Sequence, residues 1–174
     1  CKNELRGKEM ANALKSSYIN VKVSNDTMGV EYAAMLKNIY AIIAGICHGL
    51  GYGDNFQSVL ISNCVREMKK FVYKIYRTNR DINDSEYLGD LLVTCYSSFS
   101  RNRTLGNMIG KGYTLKAAIS EMSMISEGFY ATKNAYKLIE THGNEFNIIS
   151  SAYQILYENS NPKTTIEKLT EKLD

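Results

Sequence analysis

Lys37 and Asn38 are the two strongly polar residues in an otherwise apolar run, YAAMLKNIYAIIAGIC, at positions 32–47. Burial of a lysine disfavours its charged form, so the amine becomes available as a base near neutral pH. The alternative is that the flexible side chain reaches past its neighbours to solvent and has no chemical role. Both interpretations stay open, because perturbed lysines are enriched at functional sites without being confined to them.

The segment SRNR at positions 100–103 is a second candidate site. Ser100 is suited to cap a helix, and the following backbone N–H groups and two arginines could hold a phosphate group. A solvated helix start would have the same sequence features. Asp90, in YLGDLLVTC, could pair with a lysine or accept a hydrogen bond from a substrate hydroxyl. Taken alone, it is better explained as an exposed acid on an amphipathic turn.

Two other groups of residues are not interpreted as sites. The glycines of HGLGYGDN at 48–55 follow a predicted helix, whereas a dinucleotide-binding glycine loop follows a strand. His48 and His142 are predicted at helix ends, as cap or surface residues. The cysteines form no CxxC pair, so the sequence predicts no metal site and favours reduced thiols in the cytoplasm.

Composition indicates an ordinary folded protein of 174 residues, 44% hydrophobic and 22% charged, with a formal net charge of +3. Because the charges are mixed along the chain, neither nucleic acid nor a membrane is an expected partner. The apolar run at 32–47 also falls short of the roughly 20 residues that a spanning helix needs. Oligomeric state stays open, with a homodimer as one candidate.

Apolar spacing and the single proline, Pro162, predict a mainly α chain. The segment 29–50 is apolar almost all round, which predicts a helix buried on every side. Capping residues and periodicity predict further helices near 3–15, 54–77, 88–93, 100–110, 114–121, 127–141, 146–157 and from 161 onward.

Residues 17–24 have the β-branched and aromatic content of one short strand. A lone strand needs a sheet, so we interpret residues 1–27 as the C-terminal remnant of a nucleotide-binding domain and residues 28–174 as a helical domain. The chain is therefore expected to be part of a longer protein.

Three motifs in order carry a family resemblance: GVEYAAMLKNIYAIIAGICHGLGYGDN at 29–55, LGDLLVTCYSSFSRNR at 88–103 and SEGFYATKNAY at 126–136. Together they resemble the C-terminal, substrate-binding domain of bacterial NAD(P)-dependent glycerol-3-phosphate dehydrogenases. The resemblance covers nearly the whole chain. It implies a multi-helix fold of the 6-phosphogluconate dehydrogenase C-terminal-like type, preceded by the helix-strand remnant of a Rossmann domain.

The resemblance also implies roles for individual residues. Lys37 matches the family's catalytic base and Asp90 its substrate-binding aspartate. The glycerol phosphate would contact Ser100, Arg101 and Asn102. The nucleotide would contact Arg101 again, together with Ile125 and Glu127. The chain departs from the common family pattern at Glu86, Tyr87, Tyr96 and Phe99.

The activity implied is interconversion of sn-glycerol 3-phosphate and dihydroxyacetone phosphate with NAD or NADP, for phospholipid synthesis in the cytoplasm. No GxGxxG follows a strand in this chain, so the cofactor is expected to bind mainly outside it and the isolated chain to be inactive. Two alternatives remain: a non-catalytic helical module that binds a phosphate-bearing ligand or self-associates, and a related dehydrogenase for another hydroxy acid.

Overall fold

The computed structural model describes residues 1, 3–122, 124, 126–140 and 145–174. In these residues the chain forms nine α-helices and one π-helical turn, Ser85–Gly89. The helices are α1 Glu4–Leu14, α2 Thr27–Gly49, α3 Asp54–Ile75, α4 Asp90–Tyr96, α5 Arg101–Gly110, α6 Leu115–Glu121, α7 Glu127–Glu140, α8 Asn147–Tyr157 and α9 Pro162–Thr170.

The mainly α prediction is confirmed, and each predicted helix is present with ends that differ by a few residues. The predicted strand at 17–24 is not formed. Residues 16–19 instead make a turn, in which the Ser16 N–H donates to the Ile19 carbonyl at 3.2 Å. A strand is held by hydrogen bonds to a neighbouring strand, and the described part of the chain supplies none.

Helix α2 lies at the centre of the helical core and packs against α3, α4, α5, α7 and α8. Residues 39–47 are buried without interruption, as predicted. The N-terminal half of α2 differs, because Glu31 is exposed and Lys37 and Asn38 are only partly buried. With 23 residues, α2 is long and apolar enough to cross a bilayer, but 61% of its apolar window is buried inside the protein, as in a core helix.

Helices α2 and α5 approach so closely that their glycines have no room for a side chain. A Cβ atom on Gly45 would collide with the backbone carbonyl of Arg103, and one on Gly106 with that of Ile42. Gly49 and Gly110 repeat this contact one turn further along each helix. Backbone-to-backbone packing therefore fixes α5 against α2, and with it the position of residues 100–102 relative to Lys37.

A buried ion pair fixes the start of α2. Asp26 caps the helix by accepting from the Gly29 N–H at 3.0 Å, and it accepts from Arg80 Nε at 2.6 Å and from the Tyr87 hydroxyl at 2.7 Å. The hydrogen bond from Arg80 lowers the pKa of the Asp26 carboxyl. Because Tyr87 belongs to the π-helical turn, this cluster also positions the turn that leads into Asp90.

Glu67 of α3 holds the start of α8. Its carboxylate accepts from the backbone N–H groups of Ile148 and Ile149 at 2.8 and 3.1 Å, which satisfies donors that a helix start leaves free. Burial raises the pKa of the Glu67 carboxyl to about 7, although both hydrogen bonds act in the opposite direction.

Candidate active site

Lys37 and Asp90 form an ion pair although 53 residues separate them in sequence. The Lys37 amine donates to both carboxylate oxygens of Asp90, at 2.7 and 2.6 Å. The side chains are 23% and 38% exposed respectively. Neither of the two interpretations of Lys37 from the sequence is therefore complete. The amine is not buried without a partner, and it does not extend freely into solvent. It is a half-buried ammonium held by a carboxylate and reachable from solvent.

Asp90 is the first residue of α4, directly after the π-helical turn. Two buried side chains, Leu91 and Cys95, anchor α4 in the core and leave Asp90 directed to Lys37 on α2. Thr94 lies one helical turn after Asp90, half-buried, and its hydroxyl donates to the Asp90 carbonyl at 2.6 Å. Asp90 is thus part of a fixed surface and not the exposed acid that the sequence alone favoured.

Asn102 joins three helices beside this ion pair. Its Nδ2 donates to Asn38 Oδ1 at 2.8 Å, and its Oδ1 accepts from the backbone N–H of Gly128 at 2.9 Å. The residue is 8% exposed, so both ends of its amide are engaged inside the protein. Asn102 therefore links the start of α5 to the residue after Lys37 and to the start of α7.

The start of α5 has the predicted cap. Ser100 Oγ accepts from the Arg103 N–H at 3.3 Å, and the Ser100 carbonyl accepts from the Thr104 N–H at 2.9 Å. The N–H groups at the first two positions of a helix have no partner within it, so those of Arg101 and Asn102 can bind an anion. The Arg101 side chain is exposed and contacts the sulfur of Met124 at 2.8 Å.

Glu127, the first residue of α7, lies at the same surface. Its carboxylate is exposed, and one oxygen is 3.5 Å from Asn38 Nδ2. Between α2 and α7 runs an open groove of about 430 Å³, lined by Ala34, Met35, Asn38, Glu127, Tyr130, Ala131 and Asn134. Ile125, the other residue that the resemblance assigned to the nucleotide, lies outside the described residues.

The structure thus pairs Lys37 with Asp90 and connects the adjacent Asn38 to Glu127 and to Asn102 at the start of α5. Two of the four residues that depart from the common family pattern differ in their exposure. Tyr87 is 2% exposed and supports Asp26, whereas Phe99, directly before Ser100, is 94% exposed. His48 is an exposed residue near the end of α2, with one ring nitrogen 3.1 Å from Asn107 Oδ1.

Sequence reasoning missed the roles of Asn38 and Thr94. Asn38 was noted only as the polar neighbour of Lys37, yet it contacts Asn102 and Glu127. For Thr94 a signal was present, because a residue four positions after Asp90 lies on the same face of a helix. For Asn38 the polarity within an apolar run was the only signal, and its partners are 64 and 89 residues away.

The family profile described as "NAD-dependent glycerol-3-phosphate dehydrogenase C-terminus" matches residues 26–167. The chain belongs to this family. Two similar curated relatives are both named glycerol-3-phosphate dehydrogenase [NAD(P)+]. The protein from Staphylococcus epidermidis is 38% identical over 157 residues, which are 90% of this chain and 47% of the relative. The protein from Chlorobium phaeobacteroides is 41% identical over 84% of this chain and 44% of the relative.

A similar solved structure is the glycerol-3-phosphate dehydrogenase of Coxiella burnetii. It superposes with a TM-score of 0.91 at 31% identity, over 97% of this chain and 52% of that protein. The chain therefore has the fold of about half of that enzyme, and it spans less than half the length of the curated relatives.

Proposed function

We propose that this chain is the substrate-binding half of an NAD(P)-dependent dehydrogenase that interconverts sn-glycerol 3-phosphate and dihydroxyacetone phosphate. The observation that carries the proposal is the Lys37–Asp90 pair, linked through Asn38 and Asn102 to the capped start of α5. A proton-transfer group and an anion-binding helix start thus lie on one surface. A phosphate ester with a hydroxyl or carbonyl group a few atoms away needs both features.

In the reducing direction, the Lys37 ammonium donates its proton to the C2 oxygen of dihydroxyacetone phosphate as that oxygen becomes a hydroxyl. Before transfer, the same N–H polarises the carbonyl, and the cation stabilises the developing negative charge. Asp90 holds the amine in place through both of its carboxylate oxygens. In the oxidising direction, the amine removes the proton from the C2 hydroxyl.

The phosphate of the substrate is bound by the free N–H groups at the start of α5 and by the Arg101 guanidinium, an exposed cation. Ser100 shapes this site by capping the helix. Asn102 acts mainly by position, because its amide already bonds to α2 and α7. One N–H of Asn102 Nδ2 remains available for the substrate.

The groove between α2 and α7 fits part of a nicotinamide cofactor, which when bound supplies or accepts the C2 hydride. Met35, Ala34, Ala131 and Tyr130 give it apolar walls for a flat ring, and the exposed Glu127 carboxylate can accept hydrogen bonds from ribose hydroxyls. Arg101 offers a cation for the cofactor. We propose that the rest of the cofactor binds a domain outside this chain.

Residues 1–27 are proposed to belong to that nucleotide-binding domain, and residues 28–174 to form the substrate domain. In support, α1 has little contact with the helical core: its large apolar side chains Leu5, Met10 and Leu14 are 74%, 62% and 56% exposed, and Gly7 is the buried residue of this helix. Exposed apolar side chains on several sides of one helix are normally covered by another part of the protein. The proposal includes a cytoplasmic enzyme that supplies glycerol 3-phosphate for phospholipid synthesis.

The experiment joins this chain to the nucleotide-binding half of the S. epidermidis relative and follows NADPH oxidation with dihydroxyacetone phosphate. We expect turnover, and we expect Lys37→Met to lower kcat by about 10²–10⁴-fold, the usual contribution of a general acid. Lys116→Met, at an exposed lysine on α6, is the matched control and should keep full activity.

Two results would contradict the proposal. One is a fusion that folds and binds NADPH but does not reduce dihydroxyacetone phosphate. The other is Lys37→Met turnover within a few-fold of the parent fusion. A panel of other hydroxy acids and ketoacids, assayed in the same way, tests the substrate class, since a better substrate without a phosphate would assign the start of α5 a different role.

A further inference from the structure

One groove on the described chain lies away from the Lys37–Asp90 site. Its volume is about 700 Å³, and it runs along the C-terminal end of α3 and the segment that follows. The lining residues are Lys69, Lys70, Tyr73, Arg77, Thr78, Asn79 and Arg80. Four of the seven carry a positive charge and none is a carboxylate. The proposed function uses none of these seven residues, whose surface we call the basic groove.

Three of the four positive charges of this basic groove have no ion-pair partner among the described residues. Among the described residues, Lys69, Lys70 and Arg77 form no ion pair, and all three are exposed. A concentration of unpaired cations in a concave surface attracts anions more strongly than the same charges on a convex one.

One cation of the groove is fixed in place. The Arg80 side chain is 6% exposed, because its Nε and Nη2 donate to Asp26 and its Nη2 also donates to the Tyr76 carbonyl at 3.1 Å. Beside it, Tyr73 presents a 55% exposed ring with the Arg77 guanidinium 5.7 Å from its centroid. Thr78 and Asn79 add a hydroxyl and an amide that can bond to oxygen atoms.

We propose that the basic groove is a second anion site, which binds a small organic phosphate with its phosphate near Lys69 and Arg77 and its organic part against Tyr73. A volume of this size is typical of small-molecule sites and exceeds that of a lone phosphate. The concave shape favours a small molecule over a flat anionic bilayer. This site is independent of the proposed dehydrogenase activity.

The test is titration of the isotopically labelled 174-residue chain with ADP, pyrophosphate and adenosine, followed by amide chemical shifts. We expect saturable shifts at Thr78 and Asn79 with ADP, weaker binding of pyrophosphate and none of adenosine. The double variant Lys69→Gln/Arg77→Gln should weaken ADP binding at this site at least about tenfold, because two charge-assisted contacts are lost.

Two controls separate this site from other effects. Lys163→Gln/Lys168→Gln removes the same charge from exposed positions on α9 and should change ADP affinity less than about twofold. Arg101→Gln alters the proposed active site and should leave the shifts at Thr78 and Asn79 unchanged.

Three outcomes would overturn the proposal: shifts confined to residues 100–102, equal ADP affinity in the Lys69→Gln/Arg77→Gln variant and the parent, or binding only to phosphatidylcholine vesicles that contain phosphatidylglycerol. Dihydroxyacetone phosphate reduction by the fusion protein is expected to be the same with and without the Lys69→Gln/Arg77→Gln change. Loss of ADP binding therefore tests the basic groove, and loss of turnover tests the proposed dehydrogenase function.

Discussion

Replacement of Gly106 by alanine tests whether α2 and α5 are in backbone contact. A Cβ atom at this position would overlap the Ile42 carbonyl oxygen and would lie 2.9 Å from both the Ile42 carbonyl carbon and the Ile46 nitrogen. These are backbone atoms of a buried helix and cannot rotate away. Because non-bonded heavy atoms in contact normally lie more than about 3 Å apart, relief of the overlap with the carbonyl oxygen requires α5 to move outward by about 1 Å or more.

The expected cost follows from two opposed effects. Overpacking of a core costs about 1–3 kcal/mol, and a contact between backbones belongs at the upper end of that range. The higher helix propensity of alanine offsets up to about 1 kcal/mol of this cost. We therefore expect Gly106→Ala to lower the free energy of unfolding by about 2 kcal/mol and the Tm by about 4–8 °C, since each kcal/mol shifts the Tm of a chain this size by about 2–4 °C.

Gly89→Ala is the matched control in the same chain. Gly89 has helical dihedral angles, φ −61° and ψ −48°, and a Cβ there would be in ordinary contact, 3.6 Å from Ser85 Cβ. This change should stabilise the chain by about 0.4–1 kcal/mol. Both variants are compared by denaturant and thermal unfolding followed by circular dichroism. Equal or higher stability of Gly106→Ala relative to the parent would refute the close approach of the two helices.

Three further predictions concern the carboxylates. Asp90→Asn should change stability by less than about 1 kcal/mol, because the pair is partly exposed, yet lower kcat of the fusion by about 10²–10³-fold, as measured by NADPH oxidation. Asp26→Asn keeps a helix cap but leaves the Arg80 cation buried without its partner, so the free energy of unfolding measured with denaturant should fall by about 3–5 kcal/mol. Addition of Arg80→Met should restore part of this stability. Fully additive effects of the two changes would contradict the coupling between the residues. For Glu67, the folded-state pKa of about 7 lies above the ordinary 4.5, so the folded chain binds the proton more tightly than the unfolded chain. The free energy of unfolding should therefore fall as pH rises from about 4.5 to 7. Glu67→Gln should remove this dependence of stability on pH, and an unchanged dependence would refute the assignment.

The local features of the fold were predictable from sequence. Ser100 and Asn161 are helix caps in the structure, and Pro162 is the first residue of α9, because these effects depend on neighbouring residues only. The strand prediction at 17–24 was wrong because a strand depends on residues far away in the sequence. β-branched residues favour a strand only where another strand can pair with them, and residue types cannot show whether one is present.

Long-range partners were not predictable from the residues alone. Asp26 caps α2 in the structure, but nothing near it in the sequence points to Arg80, 54 residues later. No packing role was predicted for Gly45, Gly49, Gly106 and Gly110. They form two stripes, Gly45 with Gly49 and Gly106 with Gly110, whose four-residue spacing places each pair on one helix face. Their common purpose becomes clear only when the two helices are packed together.

The pairing of Lys37 with Asp90 changes the chemistry expected from the sequence. Burial alone predicted an amine available as a base, whereas in the structure the Lys37 nitrogen donates to both carboxylate oxygens of Asp90. An ammonium has three N–H donors; Asp90 accepts from it through two oxygens, and one donor remains for a substrate oxygen. In the function that we propose, this remaining N–H meets the C2 oxygen of the substrate. The Asp90 carboxylate then orients the proton transfer, because it holds the other two donors of the amine in fixed directions.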